Sequence, residues 1–228
     1  MRAAKLTGTS ASLGRAFHAD AFLLGAAPTF LALMFGGSGV SEEKYRERAT
    51  TIVPAFDGAL SRLERAASFA FVFVTAPYDV PFARFEAEPD GAARWNRHVC
   101  DELLPLVDGW LGLQTPLPRY LIGYSGGAAL ALSGHHLDPK CYGAGMIGAD
   151  GLVDSFERGP GWSEPLTLYY NLGDGVFEAM RTTVTGLEDR KSAQCFRRLP
   201  GGHELADYVS NESFGGLIRR AERTAPLV

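Results

Sequence analysis

LIGYSGGAAL, residues 121–130, sets one serine between two glycines at the end of an apolar run and just ahead of a stretch rich in alanine and leucine. A short apolar run bounded by turn residues reads as a buried strand, and alanine and leucine at this density favour a helix. The segment is therefore a strand that turns sharply into a helix, with Ser125 on the turn. The chain carries 27 glycines, enough for a lone Gly-x-Ser-x-Gly to arise by chance, so the rest of the sequence has to decide what Ser125 does.

Outward from this segment, apolar runs of strand length alternate with stretches of helical periodicity, the pattern of a parallel sheet with crossover helices. FLALMF (30–35) has no polar alternation, as a strand buried on both faces requires, and it ends in GGSG. The following stretch (41–68) reads as a helix with Ser41 as its N-cap, Glu42 and Glu43 at the positive end of its dipole, and Pro54 expected to kink or split it. FAFVFV (69–74) is the next buried strand, and residues 93–111 form a helix with Val99, Leu103, Leu106 and Trp110 near helical spacing. CYGAGMIGA (141–149) and LTLYYNL (166–172) are two further strands, with AQCFRRL (193–199) at a sheet edge; the opening segment up to Gly25 forms an antiparallel strand or hairpin. The expectation is a mostly parallel α/β sheet with helices on both faces. Residues 151–164, which include Gly-Pro-Gly-Trp, lack a clear element but are too few for a separate cap domain.

At 228 residues the whole chain, 1–228, is expected to be a single domain. A hydrophobic fraction of 46% beside 21% charged residues is that of a soluble globular protein, and a net charge of −4 gives no electrostatic reason to expect a nucleic-acid partner. Cys100, Cys141 and Cys195 are widely spaced, so neither a disulfide framework nor a zinc site is expected, and a reducing, cytoplasmic setting fits. The N-terminal MRAAKLTGTSASLG has no apolar run directly after its basic residues, and the later apolar stretch is broken by His18, Asp20 and Pro28; neither a signal peptide nor a membrane span is expected.

Serine is a weak nucleophile at neutral pH, so a reactive Ser125 needs a base and a group to orient that base. Two residues follow in that order. Asp174, in NLGDGVF, lies just past a predicted strand, where ligands of open α/β sheets gather; His203, in LPGGHEL, lies just past the last one, on a turn made by Pro200, Gly201 and Gly202. Asp150 also follows a strand and is the alternative acid. Glu204 is expected to face solvent or support its loop. His18 and His98 are expected to be structural, and His135 and His136 fall at the far end of the helix behind Ser125. Tyr78, Asp79 and Trp162 could shape a cleft, with ordinary loop packing as the competing reading.

GYSGG, GDGV and GGH, in the order serine, acid, histidine and preceded by a strand ending in FGGSG, resemble the α/β-hydrolase superfamily over about residues 29–208, nearest to its compact esterases and thioesterases without a cap domain. The resemblance implies a serine hydrolase acting on a carboxylic ester or thioester through an acyl-enzyme on Ser125, with His203 as base and Asp174 orienting it, and without metal or organic cofactor. It implies an oxyanion hole formed by the N–H of Gly126 and an N–H from the loop after FLALMF, Gly37 first and Ser38 second; Phe35, Ser38 and Tyr124 are the residues expected to contact substrate. Many relatives carry His-Gly where this chain has Phe35-Gly36. An acyltransferase or cyclising thioesterase would use the same triad, and a non-catalytic binding protein could keep the fold. Oligomeric state, acyl chain and leaving group are not encoded in these motifs.

Overall fold

The computed structural model describes residues 1–37, 42–63, 68–74, 90–149, 166–189 and 193–226. A β-hairpin opens the chain, β1 (Arg2–Ser10) pairing antiparallel with β2 (Arg15–Leu24). After β3 (Leu31–Phe35), strands and helices alternate: α1 (Glu42–Leu63), β4 (Phe69–Val74), α2 (Gly91–Arg97), a π-helical segment (His98–Leu103), α3 (Leu104–Leu111) and β5 (Arg119–Tyr124). The second half adds α4 (Gly127–Leu137), β6 (Cys141–Ile147), β7 (Leu166–Asn171), α5 (Gly175–Asp189), β8 (Ala193–Leu199), α6 (Leu205–Ser210) and α7 (Glu212–Thr224).

The eight strands among the described residues form one sheet in the order β1-β2-β4-β3-β5-β6-β7-β8, antiparallel from β1 through β2 to β4 and parallel from β4 onward. The unbroken apolar runs are explained by cover on both faces. Leu31, Leu33, Phe35, Val72 and Leu121 point into a core completed by Trp95, Leu103 and Val107 of the 91–111 stretch, by Leu130 and Leu132 of α4, and by Phe177 and Val184 of α5. The alternate residues, Ala32, Met34, Phe71, Phe73 and Ile122, face a second core closed by Phe56 and Leu60 of α1, Leu205 and Tyr208 of α6, and Phe214 and Leu217 of α7. Side chains of successive strand residues point to opposite faces, so an apolar residue at every position requires two cores.

Two local expectations are sharpened. α1 runs through Pro54 without splitting; the proline forfeits one backbone hydrogen bond, but Ile52, Phe56, Ala59, Leu60 and Leu63 are buried against the sheet on both sides of it, and that packing holds the helix together. The 91–111 stretch is helical throughout but widens into the π segment, where the Leu104 N–H reaches the Val99 carbonyl. The extra residue falls just before Pro105, whose missing N–H loosens the regular ladder there. Ser41 lies outside the described residues. Among those described, no helix is long and apolar enough to cross a membrane.

One buried ion pair ties the central strand to its helix. Arg119, first residue of β5, sends Nη1 to both carboxylate oxygens of Asp138, at 2.8 and 2.7 Å, and Asp138 is the C-cap of α4. Both side chains are at most one-tenth exposed, so removal of one partner strands a buried charge. Asp138→Ala is expected to lower stability by about 3–5 kcal/mol in urea denaturation; a loss below about 1 kcal/mol would show that the pair is solvated in practice.

Candidate active site

β5 ends at Tyr124 and α4 begins at Gly127, so the reversal between them is made by two residues. Ser125 takes φ +51°, the left-handed region that side chains with a Cβ rarely occupy. The flanking glycines are needed for contact rather than flexibility. A Cβ at Gly123 would stand 2.4 Å from the Ala128 Cα, and one at Gly127 would stand 2.4 Å from the Gly36 carbonyl oxygen and 2.5 Å from that of Phe35. The helix start is thus pressed against the end of β3, and Ser125 is held half-buried at the carboxyl ends of the central strands.

His203 and Asp174 arrive from two other loops. The Ser125 Oγ lies 3.0 Å from His203 Nε2, and His203 Nδ1 lies 2.9 Å from each oxygen of Asp174. A carboxylate can only accept, so the imidazole proton sits on Nδ1 and Nε2 is left as an acceptor for the serine hydroxyl. The Asp174 side chain is fully buried, whereas that of His203 is one-third exposed. Burial pushes the Asp174 carboxyl upward, but hydrogen bonds from His203, Tyr208 and the Val176 N–H outweigh it and hold the group below the usual carboxylate range.

The loop carrying His203 is tied down along its length. Asn171 Nδ2 donates to the Gly202 carbonyl at 3.0 Å, the Gly202 N–H donates to Asp207 at 2.8 Å, and the Gly173 N–H donates to the Gly201 carbonyl at 2.9 Å. Gly201 adopts φ +130°, and a Cβ there would stand 2.7 Å from Asn171 Nδ2. The Tyr124 hydroxyl donates to the carbonyl of His203 itself, and the two rings stack with centroids 5.4 Å apart.

The other expected site residues divide. A Cβ at Gly37 would lie 3.3 Å from that of Ser125, so this backbone runs beside the serine, and Gly126 is the N-cap of α4. Phe35 and Tyr124 are 1% and 4% exposed. Phe35 packs edge-on against Trp95 in the core, and the Tyr124 ring stacks against that of His203. Ser38, Tyr78, Asp79, Asp150 and Trp162 lie outside the described residues. Glu204 is exposed at the start of α6. His98 is buried and pairs with Glu102, and His135 Nδ1 lies 3.2 Å from Cys141 Sγ. Burial, aided by Lys5, pushes His18 down to about 4.

Solved structures with this architecture are numerous. The chain matches an enterobactin esterase from Shigella flexneri with TM-score 0.69 and 17% identity over 98% of its own length and 60% of that protein's. It matches a ferulic acid esterase with TM-score 0.70 and 13% identity, covering 95% and 96% of the two chains. An S-formylglutathione hydrolase from Staphylococcus aureus follows with TM-score 0.56, 13% identity and coverage of 96% and 95%. The chain has the α/β-hydrolase fold. It spans about 60% of the length of the enterobactin esterase. No protein-family model matches the sequence, and neither does any curated protein.

In this α/β-hydrolase fold, Tyr208 and Asn171 are contacts that the motifs did not reveal. Tyr208 lies about one helical turn beyond the GGH motif, buried in α6, and no motif in the sequence marks it.

Gly127→Ala is expected to cost more than about 2 kcal/mol, because the methyl meets backbone oxygens that cannot rotate away; a melting temperature within a degree or two of wild type would refute the contact. A second expectation concerns acid. The folded-state pKa of Asp174 is depressed, so its contribution to stability is complete above the unfolded value of about 4 and is lost as pH falls through the folded value below that. Acid titrations of stability should therefore be flatter below about pH 4 in Asp174→Asn than in wild type, and parallel curves would argue against the shift.

Proposed function

We propose that the protein is a serine-dependent carboxylic ester or thioester hydrolase. The observation that carries this reading is the unbroken hydrogen-bond chain from Ser125 through His203 to the buried Asp174, with the serine on a left-handed turn beside the Gly37 backbone. An ordinary strand-to-helix turn has no need of a strained serine, and strain of this kind costs about 1–3 kcal/mol. The hydrogen-bond chain makes Asp174 the orienting acid in this proposal.

The chemistry proposed for these residues is acyl transfer in two steps. Ser125 Oγ attacks the acyl carbonyl while His203 Nε2 takes its proton, and Asp174 steadies the imidazolium that forms. The oxyanion is held by the N–H of Gly126, where the start of α4 also favours negative charge, and by the N–H of Gly37. His203 returns the proton to the leaving alcohol or thiol. Water, activated by the same histidine, then releases the acid and regenerates Ser125. No metal or organic cofactor enters this scheme. Enterobactin esterase and ferulic acid esterase are esterases by name, and S-formylglutathione names a thioester, so both linkages stay within the proposal.

The test is active-site labelling together with turnover of acyl p-nitrophenyl esters and acyl thioesters. A fluorophosphonate probe is expected to modify wild type at Ser125, and Ser125→Ala and His203→Ala to abolish both labelling and turnover with folding intact. Asp174→Asn is expected to lower kcat by about 10⁴. A folded wild-type protein that stays unlabelled would sink the proposal, and nearly full activity in Asp174→Asn would move the acid elsewhere.

A further inference from the structure

Behind Asp174, on the side away from His203, lies a phenol that the two-step mechanism does not use. Tyr208 is fully buried, and its hydroxyl touches two partners: it donates to Asp174 Oδ2 and lies 3.0 Å from the backbone nitrogen of Asn171. The direction of these bonds is forced. The Asn171 N–H can only donate, so the hydroxyl accepts there and its single proton points at the carboxylate. Burial, and then the hydrogen bond to Asp174, raise the phenol far above its ordinary range, so it remains a donor at any working pH.

The backbone makes room for this contact. Gly148, just past β6, has φ +52°, and a Cβ there would stand 3.0 Å from Asp174 Oδ2 and 3.1 Å from the Tyr208 oxygen. Three segments therefore converge on one carboxylate oxygen: the β6 exit with Gly148, the end of β7 with Asn171 and Asp174, and α6 with Tyr208. Oδ1 receives the Val176 N–H at 2.9 Å, and His203 Nδ1 reaches both oxygens. Among the described residues, the titratable groups facing Asp174 are His203 and Tyr208, with Tyr170 behind the latter.

We propose that Tyr208 is a positioning residue that sets the rotamer and the charge of the Asp174–His203 pair; its effect on catalysis rests on the hydrolase reading above. A carboxylate that shares its charge with a phenol holds an imidazolium less tightly than one without that donor. Tyr208 thereby limits how strongly Asp174 favours protonated His203, while fixing the oxygen atoms that His203 Nδ1 needs. Since Tyr208 is sealed from solvent, it acts on kcat through Asp174 and leaves KM alone.

The experiment follows the imidazole of His203 by NMR across pH in the full chain, assigned by the signal lost in His203→Ala. In Tyr208→Phe the titration midpoint is expected to rise by roughly half to one pH unit. Gly148→Ala, which wedges a methyl between phenol and carboxylate without deleting either, is expected to move it the same way, and covers the case in which Tyr208→Phe folds poorly. An unchanged or lowered midpoint in a folded variant overturns the proposal, whether or not the protein hydrolyses anything. Ester turnover supplies the second arm. Tyr208→Phe is expected to reduce kcat about tenfold at unchanged KM, and to change it less than about threefold in an Asp174→Asn background. Equal losses in both backgrounds would assign Tyr208 to the core alone. Absent Ser125 labelling beside a shifted His203 midpoint would instead overturn the hydrolase reading.

Discussion

The contact between the first turn of α4 and the end of β3 governs the geometry of everything around it. Gly127 meets the carbonyls of Phe35 and Gly36 at distances that no side chain tolerates, and Gly123 meets Ala128 just as closely. With the helix pressed this near to the strand ends, the chain between Tyr124 and Gly127 has room for only two residues, and Ser125 is driven to positive φ. The strain is borne by packing on both sheet faces and by the Arg119–Asp138 pair that closes the far end of the same strand and helix. The Gly37 backbone reaches the serine by the same approach.

The second half of the site is built from polar contacts rather than from close apposition of backbones. His203 sits on a loop with little side-chain mass of its own, Pro-Gly-Gly, and such a loop holds one conformation only if its backbone groups are bonded from outside. Tyr124, Asn171, Gly173 and Asp207 supply those bonds. Tyr208 carries the same logic to the acid. Imidazole and carboxylate are thus held by residues from β5, β7 and α6, so small displacements of α6 would be felt at Ser125.

Much of this was legible in the chain itself, for identifiable reasons. Strands buried on both faces leave uninterrupted apolar runs, so β3, β4, β5, β6 and β7 stand out, and a strand followed at once by small residues and a helix marks the elbow. The GDG and GGH segments are legible because each lies just past a run of strand length. Less legible were the continuity of α1 through Pro54 and the placement of the aromatics. Pro54 signals a break by local rules, but burial of the residues on either side outweighs one lost hydrogen bond. Phe35 and Tyr124 lie beside glycines of the site in sequence, yet strand alternation turns both rings into the cores.

By itself the sequence determined the α/β layering, the serine turn and the order in which acid and histidine follow it, because these depend on hydrophobic period and on residues local to each turn. Which groups meet at Asp174 was decided only in three dimensions. Tyr208 is 34 residues from Asp174 and Gly148 is 26 residues before it; neither carries a motif, and their contact exists because the parallel sheet brings the exits of β6 and β7 side by side and α6 folds back over them.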